Sequence, residues 1–392
     1  MKKKLLSEIL NETGELRENY FHSIAPPIIQ ASNFSFDTVE EFRTALQNES
    51  EAVLYSRGNN PTVDILRKKL AALDNAEDSL VLNSGASAIF ASVVANVASG
   101  DHIISIRKPY GWAQHLFEKF LPRFGVSTTY VDGTNVKNFE EAIRPETKII
   151  YLESPNSWTF ELQDLKAVAA LSKDKGILTI CDNSYCSPLY QRPIDYGIDI
   201  SFQSATKYLN GHSDVVAGVI SGTKEMMHKI FSSEYMTAGL GITPFHAWLM
   251  IRGLRTLPLR LKKSAETARL IVSYLKTQLE VESIAYPFDP LFPQYSLAKA
   301  QMEDTGGLFS FVLKADSIEK IERFCEGMQH ILMAVSWGGY ESLVMPSIAG
   351  KPGNTIDLSD PEHRRIRMYI GIEEPEYLIE DIARGFAAMK KE

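Results

Sequence analysis

The sequence predicts an α/β protein with a mostly parallel sheet, followed by an α+β C-terminal domain. Between residues 79 and 222, short apolar runs typical of buried strands alternate with helical patterns, and this alternation favours parallel strands joined by helices. Towards the C-terminus, strand runs are followed by helical runs, which indicates a second, mixed domain. We therefore expect an N-terminal arm over residues 1–55, a large domain over 56–245 and a small domain over 246–392.

The composition is that of an ordinary soluble enzyme. Of the 392 residues, 44% are hydrophobic and 23% are charged, and the net charge of -8 argues against nucleic acids and membranes as partners. No apolar run reaches the roughly 18 residues of a spanning helix, and Glu8 interrupts the start of the chain, so we expect a cytoplasmic protein without a signal peptide. The three cysteines match neither a zinc site nor a disulfide framework, and no metal site is predicted.

The elements follow in order from local patterns. Residues 1 to about 50 are polar without a core period, which favours an arm that packs on another subunit. Pro61 then begins a helical pattern with an apolar face. Leu261 to Leu279 predicts a long amphipathic helix between the two domains. Strands are expected near 79–82, 102–106, 148–153, 176–182, 198–202 and 308–313. The glycine-rich patterns of mononucleotide and dinucleotide sites are absent from the sequence.

One lysine follows the apolar run 198–202 and stands among hydroxyl residues. Lys207 comes after Ser204 and Thr206 and precedes a Gly-His-Ser-Asp turn. A buried lysine is costly unless its amine has a use, and a desolvated amine can form the Schiff base that holds pyridoxal phosphate (PLP). Ser204 and Thr206 would then face the cofactor phosphate. Considered alone, a lysine in such a turn is more often a solvated surface residue.

Asp182 ends the strand that precedes Lys207. A carboxylate keeps a pyridine nitrogen protonated, and a charge pair at about 4 Å in an effective dielectric near 20 amounts to about 4 kcal/mol. Both residues can lie at the carboxyl edge of one parallel sheet. Considered alone, an acidic residue at a strand end is usually a turn former.

Gly85 and Ala86 lie between the first expected strand and a helix start. Backbone amides at a helix N-terminus form an anion site, so these two are candidate phosphate donors. Many such turns are only turns.

These motifs together resemble the Cys/Met metabolism family of PLP-dependent enzymes. The stretch S-A-T-K-Y-L-N-G-H-S-D around Lys207 is similar to the family's PLP-lysine signature, and D-N-[ST] at Asp182 and S-G-x-[AS]-A at Gly85 also match. The resemblance covers the chain from Tyr55 to Gly371. It implies PLP fold type I, with a PLP-binding large domain and an α+β C-terminal domain.

The resemblance also implies an active site shared between subunits. Tyr55 and Arg57 match the pattern Y-x-R-x-x-N-P-T. In the family, this Tyr and Arg reach into the neighbouring subunit's site and hold the cofactor phosphate, which suits a guanidinium, and the Tyr also binds substrate. Tyr110 matches the tyrosine that stacks on the pyridine ring, and Trp112 departs from a glycine common in the family. A homotetramer built as a dimer of dimers is expected.

The C-terminal motifs of the family imply the substrate side of the site. Arg367 aligns with the arginine that binds the substrate α-carboxylate, whereas Arg364 and Arg365 are expected to be solvated. Ser336 and Trp337 stand in a segment that resembles S-x-G-G-x-E-S-L, where bacterial β-lyases carry the same tryptophan.

A further departure concerns the family pattern E-S-P-x-N-P. Here Ser157 occupies the position of the Asn, and Asn156 precedes it. The bacterial cystathionine β-lyase branch, which this departure resembles, also has Ser at that position. The resemblance thus implies a carbon–sulfur lyase for a small sulfur amino acid, with Lys207 as base, Asp182 supporting the pyridine and Tyr110 or Lys207 assisting proton transfer. Cystathionine would give homocysteine, pyruvate and ammonia.

Several other functions remain open on the same scaffold. These are cystathionine γ-synthase, cystathionine γ-lyase, methionine γ-lyase and cysteine desulfhydrase activity, and a PLP-binding protein that has lost catalysis.

Overall fold

The computed structural model describes residues 4–391, which form two compact units. The large unit contains the residues up to Ser154, Gln163–Asn210 and Asp214–Thr256. The small unit contains Pro155–Leu162, Gly211–Ser213 and the residues from Leu257 onward. The domain limits expected from the sequence, 1–55, 56–245 and 246–392, stay predictions.

The large unit combines α-helices with seven strands. Its helices are α1 (Leu6–Asn11), α2 (Val39–Gln47), α3 (Pro61–Asp74), α4 (Gly85–Val94), α5 (Gly111–His115), α6 (Val136–Ala142), α7 (Leu165–Lys175), α8 (Ser187–Tyr190), α9 (Lys224–Ile230), α10 (Met236–Ala238) and α11 (Pro244–Leu254). Its strands are β1 (Asp78–Leu82), β2 (His102–Ile106), β3 (Ser127–Val131), β4 (Thr147–Glu153), β5 (Leu178–Asp182), β6 (Ile200–Ser204) and β7 (Gly218–Gly222).

The seven strands form one mostly parallel sheet in the order β1-β7-β6-β5-β4-β2-β3. Only β7 runs against its neighbours, because it pairs antiparallel with both β1 and β6. Parallel strands leave their carboxyl ends at one edge, so β4, β5 and β6 deliver the residues that follow them to the same side. The predicted fold class is confirmed for this part of the chain.

Successive strand residues pack on opposite faces of this sheet. Ile103 and Ile180 belong to one buried cluster, with residues of α4 and α9. Ile104 and Cys181, their chain neighbours, belong to another, with residues of α7. Because both faces are covered by helices, these strands are buried along nearly their whole length rather than alternating between buried and exposed residues.

The small unit has a second sheet and its own core. Its helices are α12 (Leu257–Leu275), α13 (Tyr295–Gln301), α14 (Ile318–Glu326) and α15 (Pro375–Met389), and its strands are β8 (Val281–Ala285), β9 (Leu308–Leu313), β10 (Leu332–Met333), β11 (Leu343–Pro346) and β12 (Arg365–Tyr369). The strand order is β10-β11-β12-β9-β8, antiparallel except for the pair β10 and β11. Apolar residues of α12, α14 and α15 pack on it. This is the expected α+β arrangement.

The helix predicted over 261–279 is too long at its C-terminal end. Helix α12 ends at Leu275, and Leu279 is 85% exposed beyond it. The spacing of Leu279 continues the apolar period, but the chain has already turned towards β8.

A buried lysine fastens the N-terminal segment to α3. Lys69 Nζ donates to the carbonyl oxygens of Ile9 and Leu10 at 3.1 and 3.0 Å, and it pairs with the Glu15 carboxylate at 3.0 Å. Both charged side chains are fully buried, and Arg255 also pairs with Glu15 at 3.0 Å. Burial lowers the pKa of Lys69, which Glu15 opposes. Residues 9–15 therefore pack on their own subunit.

Among residues 4–391, no helix combines the length and apolar character needed to cross a membrane.

Candidate active site

Lys207 and Asp182 follow neighbouring parallel strands of the large unit. Asp182 is the last residue of β5 and pairs in register with Phe202 of β6. Lys207 lies three residues beyond the end of β6, in a turn whose backbone is closed by a 3.1 Å hydrogen bond from its amide to Ser204 O. The Lys207 charge lowers the pKa of Asp182, so the two groups interact. This is the arrangement that the sequence predicted.

The Asp182 carboxyl is buried and holds its proton more tightly than usual. It is 8% exposed, and burial raises its pKa from 3.8 to about 6, although Ser184 and Lys207 both act in the opposite direction. The Ser184 amide donates to Asp182 Oδ1 at 2.8 Å. Such a carboxylate gains strongly from a cation placed beside it, and a protonated pyridine nitrogen is one.

Ser184 links the ends of β5 and β6 and was missed by sequence reasoning. Its hydroxyl accepts from the Ser204 amide at 2.7 Å, while its own amide binds Asp182. The signal was present in the D-N-[ST] pattern, whose third position is Ser184. It fixes the two strand ends that carry the proposed chemistry.

The first turn of α4 lies opposite Ser204 and is a candidate anion site. Ser84 caps the helix by accepting from the Ser87 amide at 3.0 Å. Within residues 4–391, neither the Gly85 amide nor the Ala86 amide donates a hydrogen bond. A side-chain carbon added to Gly85 would lie 2.9 Å from Ser204 Oγ, so only glycine permits this approach. Two amides and a hydroxyl therefore converge in a way that suits a phosphate group.

Thr206 is engaged with the neighbouring chain segment. Its hydroxyl lies 3.2 Å from Ala217 O and accepts from the Ala217 amide at 3.0 Å. These bonds tie the lysine turn to the residues just before β7. A role for Thr206 at the phosphate stays a prediction.

Tyr110 lies at the start of α5 and is held by a buried carboxylate. Its ring is 44% exposed, and its amide donates to Glu153 Oε2 at 2.6 Å. Glu153 ends β4, pairs in register with Asp182 and is buried. Sequence reasoning did not select Glu153, because a glutamate at a strand end carries no local sign of a partner 43 residues away.

Tyr55 and Arg57 lie together at the surface of the large unit. The Arg57 guanidinium carbon is 5.6 Å from the centre of the Tyr55 ring, and both side chains are exposed. Their expected contribution to a neighbouring subunit stays a prediction.

In the small unit, Arg367 is stacked on an aromatic ring. It lies in β12, is 8% exposed and has its guanidinium carbon 4.6 Å from the centre of the Trp158 indole. Its Nη1 lies 3.5 Å from the Ser157 carbonyl. The backbone of Ser157, rather than its hydroxyl, thus faces the predicted carboxylate-binding arginine in this contact.

The expectation that Arg364 and Arg365 are solvated is wrong. Their side chains are only 11% and 13% exposed, and they form ion pairs with Glu282 and Glu362, respectively. Long cationic side chains at a sheet edge can lie along the surface and reach carboxylates on adjacent segments, which a linear pattern does not reveal.

Ser336 and Trp337 lie in an irregular segment of the small unit between β10 and β11. Ser336 has a φ of 78°, a left-handed conformation that is uncommon for residues other than glycine, and Trp337 is 5% exposed. Such backbone conformations often occur at functional sites. Their substrate role stays a prediction.

The residues of the large unit fit pyridoxal phosphate. The amides of Gly85 and Ala86 with Ser204 suit the phosphate, Asp182 suits the pyridine nitrogen, and Lys207 supplies an amine beside that carboxylate. This combination of anion site, buried acid and amine is what the cofactor requires.

Comparison with known proteins gives the same result over almost the whole chain. The Cys/Met metabolism PLP-dependent enzyme family matches residues 9–387. An L-methionine gamma-lyase of Treponema denticola is 35% identical over 381 residues, covering 95% of each chain. A cystathionine gamma-lyase of Mus musculus is 34% identical over 355 residues, covering 88% of each chain.

A solved structure has the same fold as this chain. The crystal structure of cystathionine gamma-lyase from Lactobacillus plantarum, complexed with L-serine, superposes with a TM-score of 0.90 at 31% identity, covering 99% of this chain and 100% of that one. The chain therefore belongs to the Cys/Met metabolism PLP-dependent enzymes, and its cofactor is pyridoxal phosphate.

Proposed function

We propose that this protein is a carbon–sulfur lyase that cleaves cystathionine by β-elimination to homocysteine, pyruvate and ammonia. The observation that carries a lyase function is that Lys207 and the buried Asp182 follow neighbouring parallel strands at the carboxyl edge of the large sheet. The choice of β-elimination rests on Ser157 and Trp337, which stand where the bacterial β-lyase branch has Ser and Trp.

The residues of the large unit hold the cofactor in this proposal. PLP, when bound, withdraws electrons from the α-carbon of an amino acid and so makes its α-hydrogen acidic. Lys207 would hold the cofactor through its amine, and the same amine, when free, would accept the α-proton at Nζ. Asp182 remains ionised beside the pyridine nitrogen, and the amides of Gly85 and Ala86 bind the phosphate.

Two further side chains act on the substrate in this proposal. Arg367 binds the α-carboxylate, since a guanidinium presents paired N–H groups in one plane. The Tyr110 ring would pack against the cofactor, and either its hydroxyl or the Lys207 amine would protonate the leaving sulfur. The Glu153 carboxylate holds the backbone from which the Tyr110 ring projects.

The number of proton transfers separates β- from γ-elimination. β-Elimination needs one proton removed, at the α-carbon, before sulfur leaves. γ-Elimination needs a second removal at the β-carbon, so the longer chain must bend over the base. We expect the Trp337 indole to restrict that bending, and Ser157 lacks the amide of the γ-acting branches.

γ-Elimination is the second candidate, because the relatives reported above are named as gamma-lyases. It would cut cystathionine to cysteine, 2-oxobutyrate and ammonia. A cysteine desulfhydrase would share the β-chemistry and differ only in its leaving group.

One product assay distinguishes these activities. The cofactor-loaded protein is incubated with L-cystathionine, and pyruvate, 2-oxobutyrate, homocysteine and cysteine are measured, with Lys207→Ala as the inactive control. We expect pyruvate and homocysteine, with methionine and O-succinylhomoserine as poor substrates and cystine cut slowly. A predominance of 2-oxobutyrate and cysteine would replace the β-lyase proposal by a γ-lyase, and no turnover of any of these amino acids would indicate a PLP-binding protein without catalysis.

We also propose that the protein works as a homo-oligomer, a dimer of dimers, in which Tyr55 and Arg57 complete a neighbouring subunit's site. Support comes from the match to the family pattern and from the exposure of both side chains in a single chain.

A further inference from the structure

The segment Pro155–Leu162 of the small unit carries a tryptophan where the family pattern E-S-P-x-N-P has proline. Trp158 presents the face of its indole to the guanidinium of Arg367, with 4.6 Å between the guanidinium carbon and the ring centre. Two other contacts lie close by, from Nη1 to the Ser157 carbonyl at 3.5 Å and from Nη2 to the Met345 sulfur at 3.4 Å.

The backbone of Trp158 is fixed from both sides. The buried Asn156 side chain accepts from the amides of Trp158 and Thr159 at 2.9 and 3.0 Å, and Ser310 Oγ donates to Trp158 O at 3.0 Å. The asparagine of this chain stands at position 156, one residue before the Asn position of the family pattern, and these hydrogen bonds depend on it. Asn156 orders the turn that presents the indole.

The far end of the segment is equally constrained. Phe160 is fully buried with a φ of 62°, and the backbone of Leu162 exchanges two 2.8 Å hydrogen bonds with the side chain of Gln294. A segment held at both ends keeps its tryptophan in one place, so the indole acts as a fixed wall against Arg367.

Stacking constrains a guanidinium without using the part of it that binds anions. The indole attracts the cation through its π face, while the N–H groups of arginine point outward in the guanidinium plane. A carboxylate bound side-on lies in that same plane. The indole therefore restricts where the Arg367 guanidinium can lie when it accepts a carboxylate.

We propose that Trp158 is a positioning residue that orients Arg367 for the α-carboxylate of the substrate. The proposal rests on the proposed function, because that function assigns Arg367 to the α-carboxylate. It adds a residue that the family pattern does not contain, and it predicts that selectivity for amino acids over simple amines depends on an aromatic ring at position 158.

The test compares two ligands that differ only in the carboxylate. Norvaline has no leaving group, and butylamine is the same molecule without its carboxylate. Their dissociation constants are measured on the holoenzyme from the visible absorbance of the bound cofactor and by calorimetry.

The variants are Trp158→Met, which removes the ring but keeps apolar bulk, and Trp158→Phe, which keeps an aromatic face. Thr159→Ala is the matched control, since Thr159 lies in the same turn and its side chain bonds to Asn156.

We expect Trp158→Met to weaken norvaline binding about tenfold or more and to leave butylamine binding within about twofold. Trp158→Phe and Thr159→Ala should both bind norvaline within about threefold of the parent. If Trp158→Met does not fold, the comparison of Trp158→Leu with Trp158→Phe replaces it. The inference is overturned if the ringless variant binds norvaline as the parent does, or if it loses affinity for both ligands equally.

Arg367→Lys separates a failure of this inference from a failure of the proposed function. If Arg367→Lys leaves the preference for norvaline over butylamine unchanged, the assignment of Arg367 to the carboxylate is wrong, and the Trp158 inference is overturned with it. If Arg367→Lys abolishes the preference and Trp158→Met does not reduce it, only the inference is overturned. Support requires that Trp158→Met has little further effect on norvaline binding in the Arg367→Lys background.

Discussion

Replacing Asp182 by asparagine should stabilise the cofactor-free protein at neutral pH. Because the pKa of Asp182 rises from 3.8 to about 6 on folding, the folded state binds its proton more tightly than the unfolded chain does. The ionised carboxylate therefore destabilises the folded protein as pH rises from about 4 to 6, and by the full amount above pH 6. At 1.36 kcal/mol for each pH unit, that amount is about 3 kcal/mol. Asparagine removes it and keeps the oxygen that accepts from the Ser184 amide.

Thermal unfolding of the cofactor-free parent and Asp182→Asn at pH 4 and pH 8 measures this effect. With an unfolding entropy of about 2.1 cal/mol/K per residue, 3 kcal/mol raises Tm by about 4 °C if all 392 residues unfold together. We expect that rise at pH 8 and less than about 1 °C at pH 4, where the folded carboxyl is protonated and the unfolded one is only partly ionised. The ranking should reverse with cofactor present, because a neutral amide cannot offset the charge of a protonated pyridine nitrogen.

Two results would refute this reasoning. Equal Tm values for the two cofactor-free proteins at pH 8 would mean that the carboxylate carries no burial penalty. An equal advantage of Asp182→Asn at pH 4 and pH 8 would mean that the gain comes from packing and not from the charge. Unchanged cofactor affinity in Asp182→Asn would separately contradict the proposed pyridine partner.

Three further outcomes are expected. Borohydride reduction of the cofactor-loaded protein followed by peptide mapping should label Lys207, and Lys207→Ala should lose the visible absorbance; a label on another lysine would overturn the assignment. Mixing inactive Arg57→Ala with inactive Lys207→Ala should restore part of the activity, because one hybrid site receives both native residues, and exchange of subunits without recovery would contradict a shared site. Arg367→Ala should raise KM and should lower kcat/KM by a factor equivalent to about 2–5 kcal/mol, if it breaks a desolvated charge pair. Arg323→Ala in α14 is the control and should change neither constant. Similar losses in both variants would point to a general loss of structure.

Local sequence patterns located six of the twelve strands found in residues 4–391. Strands β2 and β9 have the bounds that their apolar runs predicted, because a strand buried on both faces is marked by a short apolar run. Helix α3 begins at Pro61, where Asn60 caps it and proline suits the first turn. The end of α12 was wrong because the apolar period continues to Leu279 after the helix has stopped.

Contacts between distant residues were beyond the reach of these patterns. Neither the bond from Tyr110 to Glu153 nor the stacking of Arg367 on Trp158 has a local signal, since each joins segments that meet only in the folded chain. Arg365 was predicted to be solvated because only its neighbours in sequence were considered. Its side chain instead donates to Glu362, in the segment just before β12, and to Ser310 on the adjacent strand β9. Asp182 and Lys207 could be placed together because parallel strand topology alone sends both to one edge.

The enclosure of Lys69 has a consequence for how the chain tolerates truncation. Removing residues up to 16 would delete the two carbonyl acceptors and the Glu15 carboxylate that now bind the buried Lys69 ammonium group. Separating this segment from α3 therefore costs more free energy than the loss of its apolar contacts alone. The amide protons of the segment should exchange with solvent as slowly as those of α3, and not at the fast rate of a frayed end. Proteases that trim loose termini should accordingly stop before Ile9 in the native protein.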